Sequence, residues 1–140
     1  MIFVPDTNVL SEGQKSQPDA GVVAFLRSVP VENIRLSSVV LVEIAQGVEN
    51  NPTPQLQTFL ADCLALPLAD FGEFEALEWG RMTSAALNAG HSVDVRDSFI
   101  AATANVRKWV VATRNVKDFE KLGVQTFNPW TQRLKHLPVQ

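Results

Sequence analysis

A second cysteine is missing from this chain of 140 residues. Cys63 stands alone in the apolar, helical-looking run LADCLALPL. An internal disulfide and a cysteine-based zinc site are therefore excluded, and the usage fits a reducing compartment. Cys63 itself reads as a small buried hydrophobe. Histidine is scarce as well. His91 follows a helix-ending glycine and His136 lies in the tail, and both are expected at solvated surface positions. A histidine-led metal site or a Ser-His-Asp triad has no support. The Gly-Lys-Ser/Thr combination of a phosphate-cradling loop is absent around Gly13 and Gly21. No apolar run approaches the length of a membrane span. The short apolar N-terminus lacks the basic lead of a signal peptide, and the expected location is the cytoplasm. A basic surplus is missing too, since the formal net charge is −3. Generic nucleic-acid binders carry the opposite sign. Carboxylates gathered around a cation nonetheless count against the total without repelling an anionic substrate. Internal repeats, low-complexity tracts and long linkers are also absent.

What is present alternates between strand and helix, which predicts one α/β domain over residues 1–140 with a mainly parallel sheet. Strand IFVP ends at Pro5, which cannot donate to a sheet ladder. A helix follows from about Pro18, with Val22, Val23, Phe25 and Leu26 at helical spacing. A short strand around Ile34–Leu36 leads to Ser37 and Ser38, which cap the apolar helix VVLVEIAQGVEN. A helix over 55–64 precedes a short strand at Leu66–Leu68. FGEFEALEWGRMTSAALNAG reads as a long amphipathic helix with Gly90 just past its end. DSFIAATANVRK is the next helix and WVVAT the next strand. NVKDFEKLG is a short helix closed by Gly123, VQTF is the last strand, and FNPW with the remaining tail is expected to wrap the surface.

In open parallel sheets, sites form outside the carboxyl ends of the strands. Asp6, Thr7 and Asn8 stand at such an end, although each is also an ordinary turn or capping residue. Asn8 takes the capping role in this reading, leaving Asp6 for the site. Glu43 lies inside VVLVEIA with no basic residue nearby in sequence. Such a carboxylate is costly unless it is paired, protonated or bound to a metal. The alternative is a narrow solvent-facing stripe shared with Gln46. Asp97 opens another apolar helix, and the Asp94–Asp97 spacing also matches a capping box. Ala101, Ala102 and Ala104 behind it would let that helix approach other elements closely. Thr113 and Asn115 follow strand WVV, and Asn115 with Asp118 again has capping-box spacing. Right-handed crossovers can bring these positions to one edge of the sheet. Carboxylates without Cys or His among them form a hard-oxygen site suited to Mg²⁺ or Mn²⁺, ions that activate water for attack on phosphorus.

The order DTNVLSE, LSSVVLVEIAQGVE, DSFIAATA, VVATRNVKDFEKLGVQTFNPW resembles the PIN-domain family. Within it, the chain is similar to VapC-type toxins of type II toxin–antitoxin pairs, particularly the FitB-like branch. The resemblance implies a three-layer α/β/α fold with a mainly parallel central sheet. It also implies a divalent-metal-dependent endoribonuclease that cleaves RNA phosphodiesters with metal-activated water. The family's acids fall on Asp6, Glu43 and Asp97, which would hold one or two Mg²⁺ or Mn²⁺ ions, and the polar residue completing the site falls on Asn115. Some relatives carry an acid at that place, and Asp118 would partly compensate here. Thr7 and Thr113 are expected as supporting hydroxyls, and Arg114 and Lys117, beside the site in sequence, are either contacts to RNA phosphates or merely solvated surface charges. The resemblance further implies a homodimer and a small DNA-binding antitoxin of VapB or FitA type, whose C-terminal segment covers the acidic groove.

Other classes fit less well. A phosphoacceptor signalling domain wants an acidic pair after strand one, where this chain has only Asp6. A two-aspartate phosphatase would need an acid where Asn8 stands. A catalytically impaired PIN-like protein that binds a partner or RNA is the main alternative.

Overall fold

A computed structural model describes residues 1–135, so His136 lies outside the described residues. Strand β1 (Phe3–Pro5) is followed at once by helix α1 (Thr7–Glu12), and then by α2 (Ala20–Ser28), which Asp19 caps. A single 3-10 turn at Val31–Asn33 leads into β2 (Leu36–Ser37). Ser37 accepts from the Val39 N–H and so starts α3 (Ser38–Asn50), as its sequence position predicts. Helix α4 (Pro54–Leu64) has proline in its first turn, where the missing N–H costs nothing. Then come β3 (Leu68–Ala69), α5 (Glu73–Asn88), α6 (Val95–Asn105), β4 (Val110–Ala112), α7 (Val116–Glu120), β5 (Thr126–Asn128) and β6 (Arg133–Lys135). Gly90 and Gly123, both at positive φ, stop the long helix and α7 at the expected places.

Three elements differ from expectation. Helix α1 was unpredicted, because six residues carry too little apolar periodicity to announce a helix. The strand expected at Leu66–Leu68 sits later, at Leu68–Ala69, where it pairs in parallel with β2. The tail does not simply wrap the surface: Arg133–Lys135 pairs antiparallel with β5 as the sheet's edge.

The main sheet runs β1-β4-β5-β6, and a second ladder joins β2 to β3. A parallel bridge between Phe3 and Ile34 brings the β2 side against β1, giving the continuous order β3-β2-β1-β4-β5-β6. All pairs but the last are parallel. The chain builds outward in one direction from β1 and then returns to build from β4, so the order reverses between β1 and β4.

Alternation along the strands divides the core. Val4 and Val111 face a large cluster with Ile44, Phe59, Met82, Ile100 and Phe119, contributed by α3 to α7. Phe3, Ala112 and Phe127 face the opposite way, against Val9, Val22, Phe25 and Trp130. Helices thus cover both faces of a mainly parallel sheet, which is the three-layer arrangement expected. Cys63 is buried in the larger cluster and His91 is exposed. No helix among the described residues is long and apolar enough to cross a membrane.

Candidate active site

The reversal between β1 and β4 is where an open parallel sheet leaves a crevice at its carboxyl edge, and Asp6 stands in it. Pro5 pairs with Ala112 as the last residue of β1, and the Asp6 N–H then reaches the Ala112 carbonyl at 2.9 Å. The Asp6 side chain is buried and doubly held. Its Oδ1 accepts from the Val9 N–H at 3.0 Å, and its Oδ2 accepts from the Thr113 hydroxyl at 2.6 Å. Asp6, not Asn8, is therefore the cap of α1. Asn8 is the second helical residue and is exposed. The expectation failed because both residue types cap well, and the backbone bond to Ala112 decides which one occupies the position.

Thr113 is fully buried and relays the contact. Its Oγ1 also accepts from the Asn115 N–H at 2.9 Å, so one hydroxyl ties the β4–α7 turn to Asp6. Thr7, the other expected supporting hydroxyl, has an Oγ1 that is shielded from solvent and makes no hydrogen bond among the described residues.

Asp97 sits in the first turn of α6. Asp94 caps that helix through a 2.9 Å bond from the Asp97 N–H. No reciprocal bond from the Asp97 side chain is formed among the described residues, so the capping box is half made and the carboxylate is left unspent. Behind it, Ala101, Ala102 and Ala104 are completely buried, which lets α6 lie close against the sheet. Glu43 projects from α3, half-buried beside exposed Val42 and Gln46. The sequence offers it no nearby base, but the fold does: Arg96 Nη1 lies 3.6 Å from Glu43 Oε2.

Asn115 precedes α7 without any capping bond from its side chain, so the expected capping box with Asp118 is not formed. Asp118 is exposed and stands 3.8 Å from Lys121. An open groove of about 550 Å³ is lined by Arg114, Asn115, Lys117, Asp118, Asn128 and Thr131, among others. Arg114 is not merely solvated. Its guanidinium lies over the Trp130 ring, 4.1 Å from the centroid. Lys117 is exposed.

These acids share one electrostatic field. Burial pushes the Asp6 carboxyl above its ordinary range and the Glu43 charge adds to the rise, while the bonds from Thr113 and Val9 oppose it. Asp97 is pushed up to about 6, first by burial and then by the negative charges of Asp94, Asp6, Asp118 and Glu43. No three acidic, histidine or cysteine side chains among the described residues converge closely enough to form a closed metal cage. Mg²⁺ rarely needs one, because it keeps several waters and binds through one or two carboxylates. Asp6 and Asp97 supply hard oxygens whose mutual repulsion a cation would relieve, and the partnerless Thr7 hydroxyl adds a polar atom with an unmet need. The donor set fits a hydrated divalent ion.

Comparison with known proteins identifies the fold. A family model described as the PIN domain matches residues 3–124. Toxin FitB of Neisseria gonorrhoeae is 33% identical over 133 residues, covering 89% of this chain and 96% of that protein. VapC ribonuclease Y4jK of Sinorhizobium fredii is 29% identical over 137 residues, covering 92% and 98%. Among solved structures, FitAB bound to a DNA fragment superposes with a TM-score of 0.83 at 31% identity, covering 96% of this chain and 99% of that one. With the sheet order, the buried Asp6 and these matches in hand, the chain belongs to the PIN-domain family.

Proposed function

We propose that this protein is the toxin of a type II toxin–antitoxin pair and acts as an endoribonuclease dependent on Mg²⁺ or Mn²⁺. The observation that carries the reading is the pairing of a buried Asp6, tied to β4 by Thr113, with an Asp97 whose carboxyl is raised by its acidic neighbours. The relatives named a toxin and a VapC ribonuclease support the activity.

Asp6, Asp97 and Glu43 would hold the ion, and Asn115 would complete the polar rim. When bound, a divalent ion supplies charge neutralisation at the phosphate and activation of water. Thr113 holds Asp6 in place through the reaction. Lys117 and the stacked Arg114 line the groove beside Asn115, where they meet RNA phosphates.

The partner is a small DNA-binding antitoxin. The solved FitAB assembly on DNA supports this, and a segment covering the acidic groove would place a cation against these carboxylates. Homodimerisation is supported by Phe74 and Leu77, three residues apart on one side of α5 and both exposed. A cytoplasmic location fits the RNA substrate and the single unpaired thiol.

The test is cleavage of RNA by the purified protein with and without added Mg²⁺ or Mn²⁺. Cleavage should require the ion and disappear in Asp6→Asn and Asp97→Asn. Full activity in both variants would sink the reading. RNA binding without any cleavage would instead favour the binding-only alternative.

A further inference from the structure

Resting on the reading of Asp6, Glu43 and Asp97 as a divalent-cation site, we infer that Arg96 is a built-in counter-ion of that site. It holds Glu43 while no metal is bound and gives it up when one binds, and so sets the affinity of the site for its ion.

The geometry of the arginine–glutamate pairs carries this. Arg107 donates to a buried Glu75 at 2.7 Å, and Arg81 grips Glu78 with two bonds of 2.6 and 2.8 Å. Both are hydrogen-bonded pairs of the structural kind. Arg96 and Glu43 are 3.6 Å apart and share no hydrogen bond among the described residues. The Arg96 side chain is 69% exposed and Glu43 only 25%. The cation can therefore swing into solvent at little cost, while the carboxylate stays at the site. The other loose pair, Lys121 with Asp118 at 3.8 Å, also falls on a carboxylate acting on Asp97. Loose pairing is thus concentrated where the acids gather.

Arg96 also precedes Asp97 directly on α6, and among the described residues it is the one base within 4.0 Å of Glu43. A divalent ion drawn in by Asp6 and Asp97 meets a positive charge already at the rim. Binding must either displace the guanidinium or bear its repulsion.

Calorimetric titration with Mn²⁺, and electron paramagnetic resonance of free Mn²⁺, read the affinity without any RNA. Arg96→Gln should tighten Mn²⁺ binding by about five-fold at low salt, with the gap closing as ionic strength rises. Arg96→Lys should stay near wild type. Arg27→Gln, an exposed residue on α2, makes the same change in net charge away from Glu43 and should shift affinity little. In a Glu43→Gln background, the Arg96→Gln gain should vanish. Thermal denaturation of each variant checks folding. If Arg96→Gln matches Arg27→Gln, or weakens binding, the counter-ion role is wrong while the metal site stands. If wild type takes up no Mn²⁺, the site reading fails and the counter-ion role goes with it.

Discussion

The Thr113 hydroxyl donates to Asp6 Oδ2 across 2.6 Å, joining residues 107 positions apart in the chain. The same oxygen accepts from the Asn115 N–H, so three parts of the site depend on one buried atom. Thr113→Val keeps the shape and removes the bonds. It strands a buried carboxylate oxygen and an amide, which should cost about 1–3 kcal/mol and lower the melting temperature. Cleavage should fall further than the stability loss accounts for, and Thr113→Ser should recover most of both. Unchanged stability in the valine variant would mean the bond is not formed.

Asp97 makes the metal-free protein lose stability as pH rises out of the mildly acid range. Its folded-state value of about 6 lies above the ordinary 3.8, so between these values the folded protein binds more protons than the unfolded chain. Stability from this group is then greatest at low pH and falls as pH rises towards 6. Denaturation of wild type and Asp97→Asn without metal, from pH 4 to 7, should show the variant gaining on wild type as pH rises. A gap that stays flat would refute the raised value.

Asn115 and Asp118 compete for the last place in the site. Asn115 is tied by its backbone to Thr113 and its side chain makes no capping bond to α7, whereas Asp118 is exposed and shared with Lys121. Asn115→Ala should therefore leave stability within about 0.5 kcal/mol while cutting the cleavage rate. Asp118→Asn should act mainly on the field, lowering the titration midpoint of Asp97 followed by NMR. The reverse pattern would assign the completing role to Asp118.

The exposed side of α5 should be an interface. Phe74→Ser with Leu77→Ser ought to shift the protein from dimer to monomer in light scattering while leaving the melt cooperative. A wild type already monomeric at high concentration would remove this expectation.

Cys63 should be inert. Burial, with Asp62 adding to it, pushes the thiol up to about 11, and the side chain lies in the larger core. A disulfide reagent at pH 8 should label it only after unfolding. Rapid labelling of the native protein would contradict the packing.

The candidate site was legible wherever a carboxylate stood without a reason of its own. Glu43 inside VVLVEIA and Asp97 ahead of an alanine-rich helix are costly placements, and the fold brings both into the field of Asp6. Ser37 and Asp94 were readable as caps because capping is a local bond between near neighbours. What failed was decided at long range. Asp6 and Asn8 cap equally well by type, and only the register of β1 against β4 chooses between them. Arg96 was invisible as the partner of Glu43 because two helices must pack before they meet. The β6 pairing lacks a local signature for the same reason.

The strand order also has a consequence for synthesis. Asp6 is made more than a hundred residues before its backbone partner Ala112 and its hydroxyl partner Thr113. A growing or prematurely terminated polypeptide ending before β4 carries Asp6, Glu43 and Asp97, but only the local bond from Val9 is available to hold the first of them. Asp6 therefore reaches its full set of bonds only after β4 has been made and has paired with β1.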